Sequence, residues 1–303
     1  VTGQVIDLAS RPAVADHLPV RTDPTVVTGG DYLRLVTALL QRLRLVDPVG
    51  GAWEAADPQW WWRQARVTDP EGQLFWLDEH GAPVAAVIRT DFQGVVQCDV
   101  LIWPGTEELA ESVWRAAFDR AEASALPAEF IMPPDDAAGI AKLTAAGYAA
   151  ANAPRYVGSW LDAAARPPVP ELVTGFRLTS RAEAPEGPHW LMFRNGADAE
   201  RRLRECSLYR PELDLMVEAP EGQVAGYGLF WADPVTKVGL VEPMRTESAF
   251  EGRGIASCIL AAGLDRLAAC GCDRLKVGND LGLYLRAGFQ PLPQPAAISY
   301  VRP

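Results

Sequence analysis

Displaced by 141 residues, the chain matches itself. Gly81, between two short apolar runs, falls on Gly222 of Pro-Glu-Gly-Gln-Val-Ala-Gly-Tyr. Leu143-Thr-Ala-Ala-Gly147-Tyr148 falls on Tyr284-Leu-Arg-Ala-Gly288-Phe289, and Asp99-Val100-Leu101 falls on Leu240-Val241-Glu242. An internal repeat of this length restricts the fold to two copies of one plan. The stretch Ala163–Glu171, rich in Ala and Pro, reads as the linker. The expected organisation is two units, residues 1–165 and 166–303. With 303 residues and 49% apolar content, each copy can bury a core.

Both copies predict the same order: strand, helices, hairpin and strand, helix, strand, helix, strand. Residues 1–25 read as an extended segment or an edge strand. Asp31 is expected to cap a helix to about Leu45, with Leu33, Val36, Leu39, Leu40 and Leu43 on one face. Asp57-Pro58 opens a second helix with Trp60, Trp61 and Trp62. Three adjacent indoles do not share one helix face, so at least one is expected at an interface or groove, most simply against the other copy. Gln73–Leu77 and Pro83–Arg89 read as a hairpin, followed by strand Val95–Trp103, a helix to about Ser124, strand Glu129–Met132, helix Ala137–Ala146 and closing strand Tyr156–Leu161. In the second copy Phe176–Leu178 opens, a helix covers about Ala197 to Ser207, and Leu213–Val217 with Val224–Trp231 form the hairpin. Val238–Met244 is the central strand, and Arg274–Val277, helix Leu281–Ala287 and closing strand Ile298–Val301 finish the copy.

Charge narrows the partners. Residues 1–165 carry 12 Lys and Arg against 22 Asp and Glu, whereas residues 166–303 carry 16 against 17. A net charge of −11 argues against nucleic acid. The acidic first half suits either a cationic acceptor or simple solubility. No apolar run has the length of a membrane span, and Val-Thr-Gly-Gln-Val-Ile-Asp has no basic, apolar leader. Five scattered cysteines, at 98, 206, 258, 270 and 272, predict reduced thiols and a cytoplasmic setting. His17, His80 and His189 share no spacing and sit in no nucleophile motif, so neither a catalytic triad nor a metal site is expected.

The chemistry concentrates in Met244-Arg245-Thr246-Glu247-Ser248-Ala249-Phe250-Glu251-Gly252-Arg253-Gly254-Ile255-Ala256-Ser257. An apolar strand enters it, and a helix with Ile255, Ile259, Leu260, Leu264 and Leu267 in step leaves it. Free amides at a helix start, preceded by glycines, hold phosphate. The chain lacks G-x-x-x-x-G-K-[ST] and has no G-x-G-x-x-G after the strand, which excludes a P-loop and a dinucleotide fingerprint.

Glu-Gly-Arg-Gly-Ile-Ala resembles the [Q/R]-x-x-G-x-[G/A] turn of the GNAT (GCN5-related N-acetyltransferase) acyltransferases, and Leu283-Tyr284-Leu285-Arg286-Ala287-Gly288-Phe289 resembles their L-Y-x-x-x-G-F segment. The resemblance implies an α/β fold with a mixed sheet: two GNAT-like acyl-CoA N-acyltransferase domains in tandem. The second domain carries the acetyl-CoA motif and the first is degenerate, with Trp103-Pro104-Gly105-Thr106 near where its glycine turn should stand. The implied function is an acetyl-CoA-dependent N-acetyltransferase acting by direct attack of an amine, the acceptor being a small molecule or a peptide amine. The alternative is a non-catalytic acyl-CoA-binding or regulatory protein; a structural partner without any cofactor would need the second turn to be as degenerate as the first. A monomer or homodimer fits either of the first two.

The resemblance also assigns residues. Glu251 to Ser257 would take the pyrophosphate of acetyl-CoA, although Glu251 stands where Gln or Arg is usual. Met244, Arg245 and Thr246 would lie along the pantetheine arm. Glu242, expected on the same strand face as Met244 and Thr246, would be the base, or else a carboxylate held by an arginine such as Arg245. Pro243 cannot donate to the sheet, so an interruption or bulge is expected there. Tyr284 would protonate the CoA sulfur, or else pack in the core. Asn279 would contact the cofactor, although Asn279-Asp280-Leu281-Gly282 is a shorter link than usual. Arg253, Lys276 and Arg286 are candidates for CoA phosphates, Arg253 first; the other two read more simply as solvated charge.

Overall fold

The computed structural model describes residues 22–48, 50–156, 158–279, 282–293 and 296–302. In chain order the described elements are β1 (Thr25–Val27), α1 (Gly29–Val46), α2 (Ala56–Trp62), β2 (Gln73–Leu77), β3 (Pro83–Phe92), β4 (Val95–Ile102), α3 (Ala110–Glu122), β5 (Ala128–Met132), α4 (Ala137–Ala145), β6 (Ala149–Tyr156) and β7 (Ser159–Asp162). There follow β8 (Arg177–Ser180), α5 (Met192–Asn195), α6 (Ala199–Arg204), β9 (Asp214–Glu218), β10 (Val224–Ala232), β11 (Val238–Thr246), α7 (Ile255–Ala269), β12 (Arg274–Val277), α8 (Gly282–Arg286), β13 (Gln290–Pro291) and β14 (Ala297–Val301). The expectation for the N-terminal segment lies largely outside the described residues, as does His17; its described end includes β1, on the edge of a sheet. α1 begins at Thr28 as N-cap, so Asp31 sits inside the first turn rather than capping it. There its charge faces the positive end of the helix.

Two seven-stranded sheets form. The first runs β1-β2-β3-β4-β5-β14-β6 and the second β13-β7-β12-β11-β10-β9-β8. In each, one parallel contact, β4 with β5 or β11 with β12, sits among antiparallel neighbours. The internal repeat is visible in the hydrogen bonds. Asp78 N donates to Ala82 O and Ala219 N to Gln223 O, both at 2.9 Å, closing the same hairpin turn over Gly81 and Gly222. Tyr148 N donates to Leu143 O at 2.9 Å and Phe289 N to Tyr284 O at 3.0 Å, the same helix exit past a left-handed glycine.

The copies trade their last strands. β14, from the end of the chain, fills the slot between β5 and β6 in the first sheet. β7, from the end of the first copy, fills the matching slot between β12 and β13 in the second. A partition at the Ala163–Glu171 linker therefore has one strand crossing it in each direction.

Packing joins the halves further. Clusters beneath α3 and α7 serve the individual sheets. A third cluster spans both halves, joining Tyr32, Leu39, Trp60, Trp62 and Phe75 to Trp190, Leu203, Tyr227, Trp231 and Leu240. All three α2 indoles are buried, as the expectation of a packing face against the other copy requires. Trp62 Nε1 donates to Glu205 Oε2 at 2.7 Å, and Gln59 bridges Thr37 and Ser207.

Candidate functional site

The site is built around β11. Its parallel pairing with β12 stops at Leu240 opposite Lys276. Its antiparallel pairing with β10 slips between Gly228 and Phe230, opposite Glu242 and Pro243. A proline without an amide explains the break, as the sequence predicts. Beyond it β11 and β12 are no longer paired, which opens a gap in the sheet.

The slip corrects one expectation. Strict alternation would place Glu242, Met244 and Thr246 on one face. Because one residue is taken up in the irregularity, Glu242 stays with Leu240 on the side of the first half, while Met244 packs with Val241 and Ile259 under α7. Arg245 is exposed and pairs with Glu247 at 3.1 Å, so it is not the partner of Glu242. Thr246 carries a buried hydroxyl without a hydrogen-bond partner among the described residues.

The chain then turns through Glu251-Gly252-Arg253-Gly254 into α7. Gly252 and Gly254 have φ of +75° and +76°. A side chain at either would meet nothing within 4 Å, so the requirement for glycine here is one of backbone conformation and open approach. Gly254 is the N-cap, and among the described residues no side chain caps the helix. The first amides of α7 therefore face outward at the positive end of the helix. Ile255 and Ile259 anchor the helix to the sheet from below, Ala256 is half-buried, and Ser257 is exposed at the rim. Glu251 is exposed and its amide points back to Ser248 O at 3.5 Å. Arg253 is exposed beside the rings of Phe176 and Phe250.

The first copy shows the contrast. At its corresponding corner an acidic side chain takes an amide: Gly105 N donates to Glu107 Oε1 at 2.9 Å. A carboxylate already at that place opposes a phosphate.

Below the gap lies a cleft of about 510 Å³. The second copy contributes Leu240, Glu242 and Gly278; the first contributes Trp53, Asp57, Trp60, Trp61, Arg63, Arg66, Asp91 and Phe92. Burial pushes the Glu242 carboxyl above the usual carboxylate range, against the opposing pull of Arg63 and a hydrogen bond from Trp60. Burial also raises Asp57, despite the 2.6 Å hydrogen bond its carboxylate accepts from Glu54 N. Arg63 lies with its guanidinium 3.5 Å over Trp60, and burial lowers it to about 10.

Tyr284 is buried in α8, 5.8 Å edge-to-face from Phe289. Burial, with Glu242 adding to it, pushes the phenol up to about 12. Asn279 stands just past β12, next to Gly278 of the cleft; residues 280–281 lie outside the described residues. Lys276 is corrected: it is buried and ion-paired to Glu54, which also sits 3.5 Å from Arg44, so it is neither solvated nor free to meet a phosphate. Arg286 is exposed. The sequence did not assign Arg63 and Arg66 to the site; the run Trp60–Trp62 beside them was the available signal.

His189 is buried in a polar network. Leu191 N donates to its Nδ1 at 3.1 Å, leaving Nε2 to donate to Asp214 Oδ2 at 2.7 Å. Trp190 and Tyr209 complete the ring around Asp214. This holds the 189–191 segment to the start of β9. Among the described residues no cluster of His, Cys, Asp and Glu has a metal-binding arrangement, and no helix is long and apolar enough to cross a membrane.

Residues 177–289 match the model of the acetyltransferase (GNAT) family. Among solved structures, a GCN5-related N-acetyltransferase from Sphaerobacter thermophilus is 16% identical with a TM-score of 0.54, over 95% of this chain and 97% of that one. A tandem GNAT protein from the clavulanic acid biosynthesis pathway is 15% identical with a TM-score of 0.60, over 92% and 96%. The C-terminal domain of a putative lysylphosphatidylglycerol synthetase from Agrobacterium fabrum is 13% identical with a TM-score of 0.51, over 91% and 92%. At these identities the likeness is one of fold. No curated protein matches the sequence.

Proposed function

We propose, from the match of residues 177–289 to the acetyltransferase (GNAT) family and a fold shared with a tandem GNAT protein, that this chain is an acetyl-CoA-dependent N-acetyltransferase. The diphosphate of acetyl-CoA sits on the turn from Glu251 to Ser257, held by the amides past Glu251, with Arg253 beside it. The pantetheine arm follows Met244, Arg245 and Thr246 into the gap between β11 and β12, passing Asn279. The acceptor amine enters from the cleft between the halves. Glu242, with its raised carboxyl, takes the ammonium proton directly or through water, and the neutral amine attacks the thioester carbonyl. The C–N bond forms as the C–S bond breaks, the thiolate leaves with a proton for which Tyr284 is the candidate donor, and the extra proton on the new amide nitrogen passes to water, from which the tyrosinate is reprotonated. The first copy acts as one wall of the acceptor site rather than as a second catalyst. The setting is cytoplasmic, and the protein works as a monomer or homodimer.

The observation that carries this reading is the convergence on one strand of three features: the uncapped helix start after β11, the unpaired gap beside it, and the cleft in which Glu242 ends. One observation favours the alternative, an acyl-CoA-binding protein without turnover: a phenol at about 12 is a reluctant donor to a thiolate, whose own pKa is about 8.5. Calorimetric titration of acetyl-CoA, then thiol release over an amine panel, separates the readings. Binding with turnover supports the enzyme, binding without turnover on any amine supports the alternative, and no binding overturns both.

A further inference from the structure

Building on the acceptor cleft proposed above, we infer that the acceptor is amino-acid-like, carrying a carboxylate with its amine, and that Arg63 and Arg66 hold the carboxylate. Buried arginines elsewhere in this protein have acidic partners: Arg44 with Glu54, Arg89 with Glu71, Arg181 with Glu200. Among the described residues Arg63 and Arg66 are the half-buried pair on the cleft wall, and neither lies within ion-pair distance of a carboxylate. Arg63 donates to Asn195 Oδ1 at 2.6 Å and Trp60 O at 2.8 Å. Arg66 donates to the main-chain oxygens of Asp91 and, at 3.4 Å, Trp61. All four acceptors are neutral, and Nη2 of each arginine has no hydrogen-bond partner among the described residues.

Each guanidinium is also fixed in orientation. Arg63 stacks on Trp60 at 3.5 Å and Arg66 lies over Phe92 at 4.4 Å, so both keep an edge for a ligand. The acids around them act only at a distance, Asp91 and Asp69 on Arg66 and Glu242 on Arg63, so each fork keeps room for a directly bonded anion, and a planar carboxylate matches it. The other acids on the wall are already engaged: Asp57 accepts from Glu54 N, and Asp91 Oδ1 accepts from Thr68 Oγ1 at 3.2 Å. Glu242, close enough to Arg63 to influence it, is left for the amine end. Trp53, Trp61 and Phe92 offer an apolar wall to the rest of the molecule.

The test uses the full chain, with acetyl-CoA present, and L-amino acids with aromatic, aliphatic, acidic and basic side chains, each paired with its carboxamide. Binding is read by calorimetry and turnover by thiol release. At least one acid is expected to bind at least tenfold more tightly than its amide. Arg66→Gln and Arg66→Lys are expected to lose at least tenfold of that preference while acetyl-CoA affinity stays within about twofold. Absence of any acid–amide difference, or an undiminished preference in both Arg66 variants, overturns the proposal. Acid-selective binding without acetyl transfer leaves this proposal standing and removes only the enzyme reading.

Discussion

At the scale of the residue, the glycine turn was legible because φ near +76° selects glycine by type. Gly254→Ala would force an L side chain into that region at a cost of about 1 kcal/mol and put a methyl where a phosphate oxygen would come. Acetyl-CoA affinity is expected to fall about tenfold or more by calorimetry, with a small loss in Tm. The electrostatics of Glu242 were not legible, because they depend on burial by Trp60 and proximity to Arg63, which lie some 180 residues away in sequence. As a base Glu242 must be ionised, and its carboxyl is raised; kcat/KM is therefore expected to fall as pH drops through a value above the ordinary carboxylate range. Glu242→Gln is expected to lower kcat by roughly 100-fold and abolish that limb while acetyl-CoA affinity holds; equal losses in both would remove the role. Asp99 gives a stability test. Buried, with Trp53 Nε1 donating to it at 2.8 Å, it is raised to about 6 from 3.8. A raised carboxyl contributes stability below about pH 4 that disappears as pH rises through about 6. Asp99→Asn should flatten the Tm profile across that window, a difference on the order of 2–3 kcal/mol. An unchanged profile would show that Asp99 titrates normally.

At the scale of the element, periodicity and turn chemistry located most helices and strands. α1, the two hairpins and α7 carry strong apolar repeats or left-handed glycines, and these are local signals. The destination of the closing strands was not local. Tyr156–Leu161 reads as one strand, yet the chain breaks it into β6 and β7 and sends β7 to the other sheet. Nothing in a four-residue strand records which of two similar slots it fills, since both slots want the same alternation. Removing residues 297–303 should accordingly damage the first sheet, not the second, although the deletion lies in the second copy. Hydrogen exchange is expected to rise in β5 and β6, whose partner is lost. Fast exchange confined to β12 and β13 would contradict the strand exchange.

At the scale of the whole molecule, the repeat revealed two copies, and the glycine turn showed which one opens its helix on a left-handed glycine without a side-chain cap. That the copies share a core, and that the degenerate one walls the cleft, came from side chains far apart in sequence. Residues 1–165 and 166–303 expressed separately should each be poorly soluble, and co-expression should restore a complex, because each fragment carries a strand for the other's sheet and half of the central cluster. Two independently cooperative fragments would refute this coupling.

That exchange also bears on biosynthesis. The first sheet is emitted early by the ribosome, but the slot between β5 and β6 stays vacant until β14 clears the exit tunnel. Half-made chains thus present two unpaired edges, open to a strand from any passing nascent copy. Completion of the first half waits on Ala297–Val301, which leave the ribosome after the second sheet's own strands.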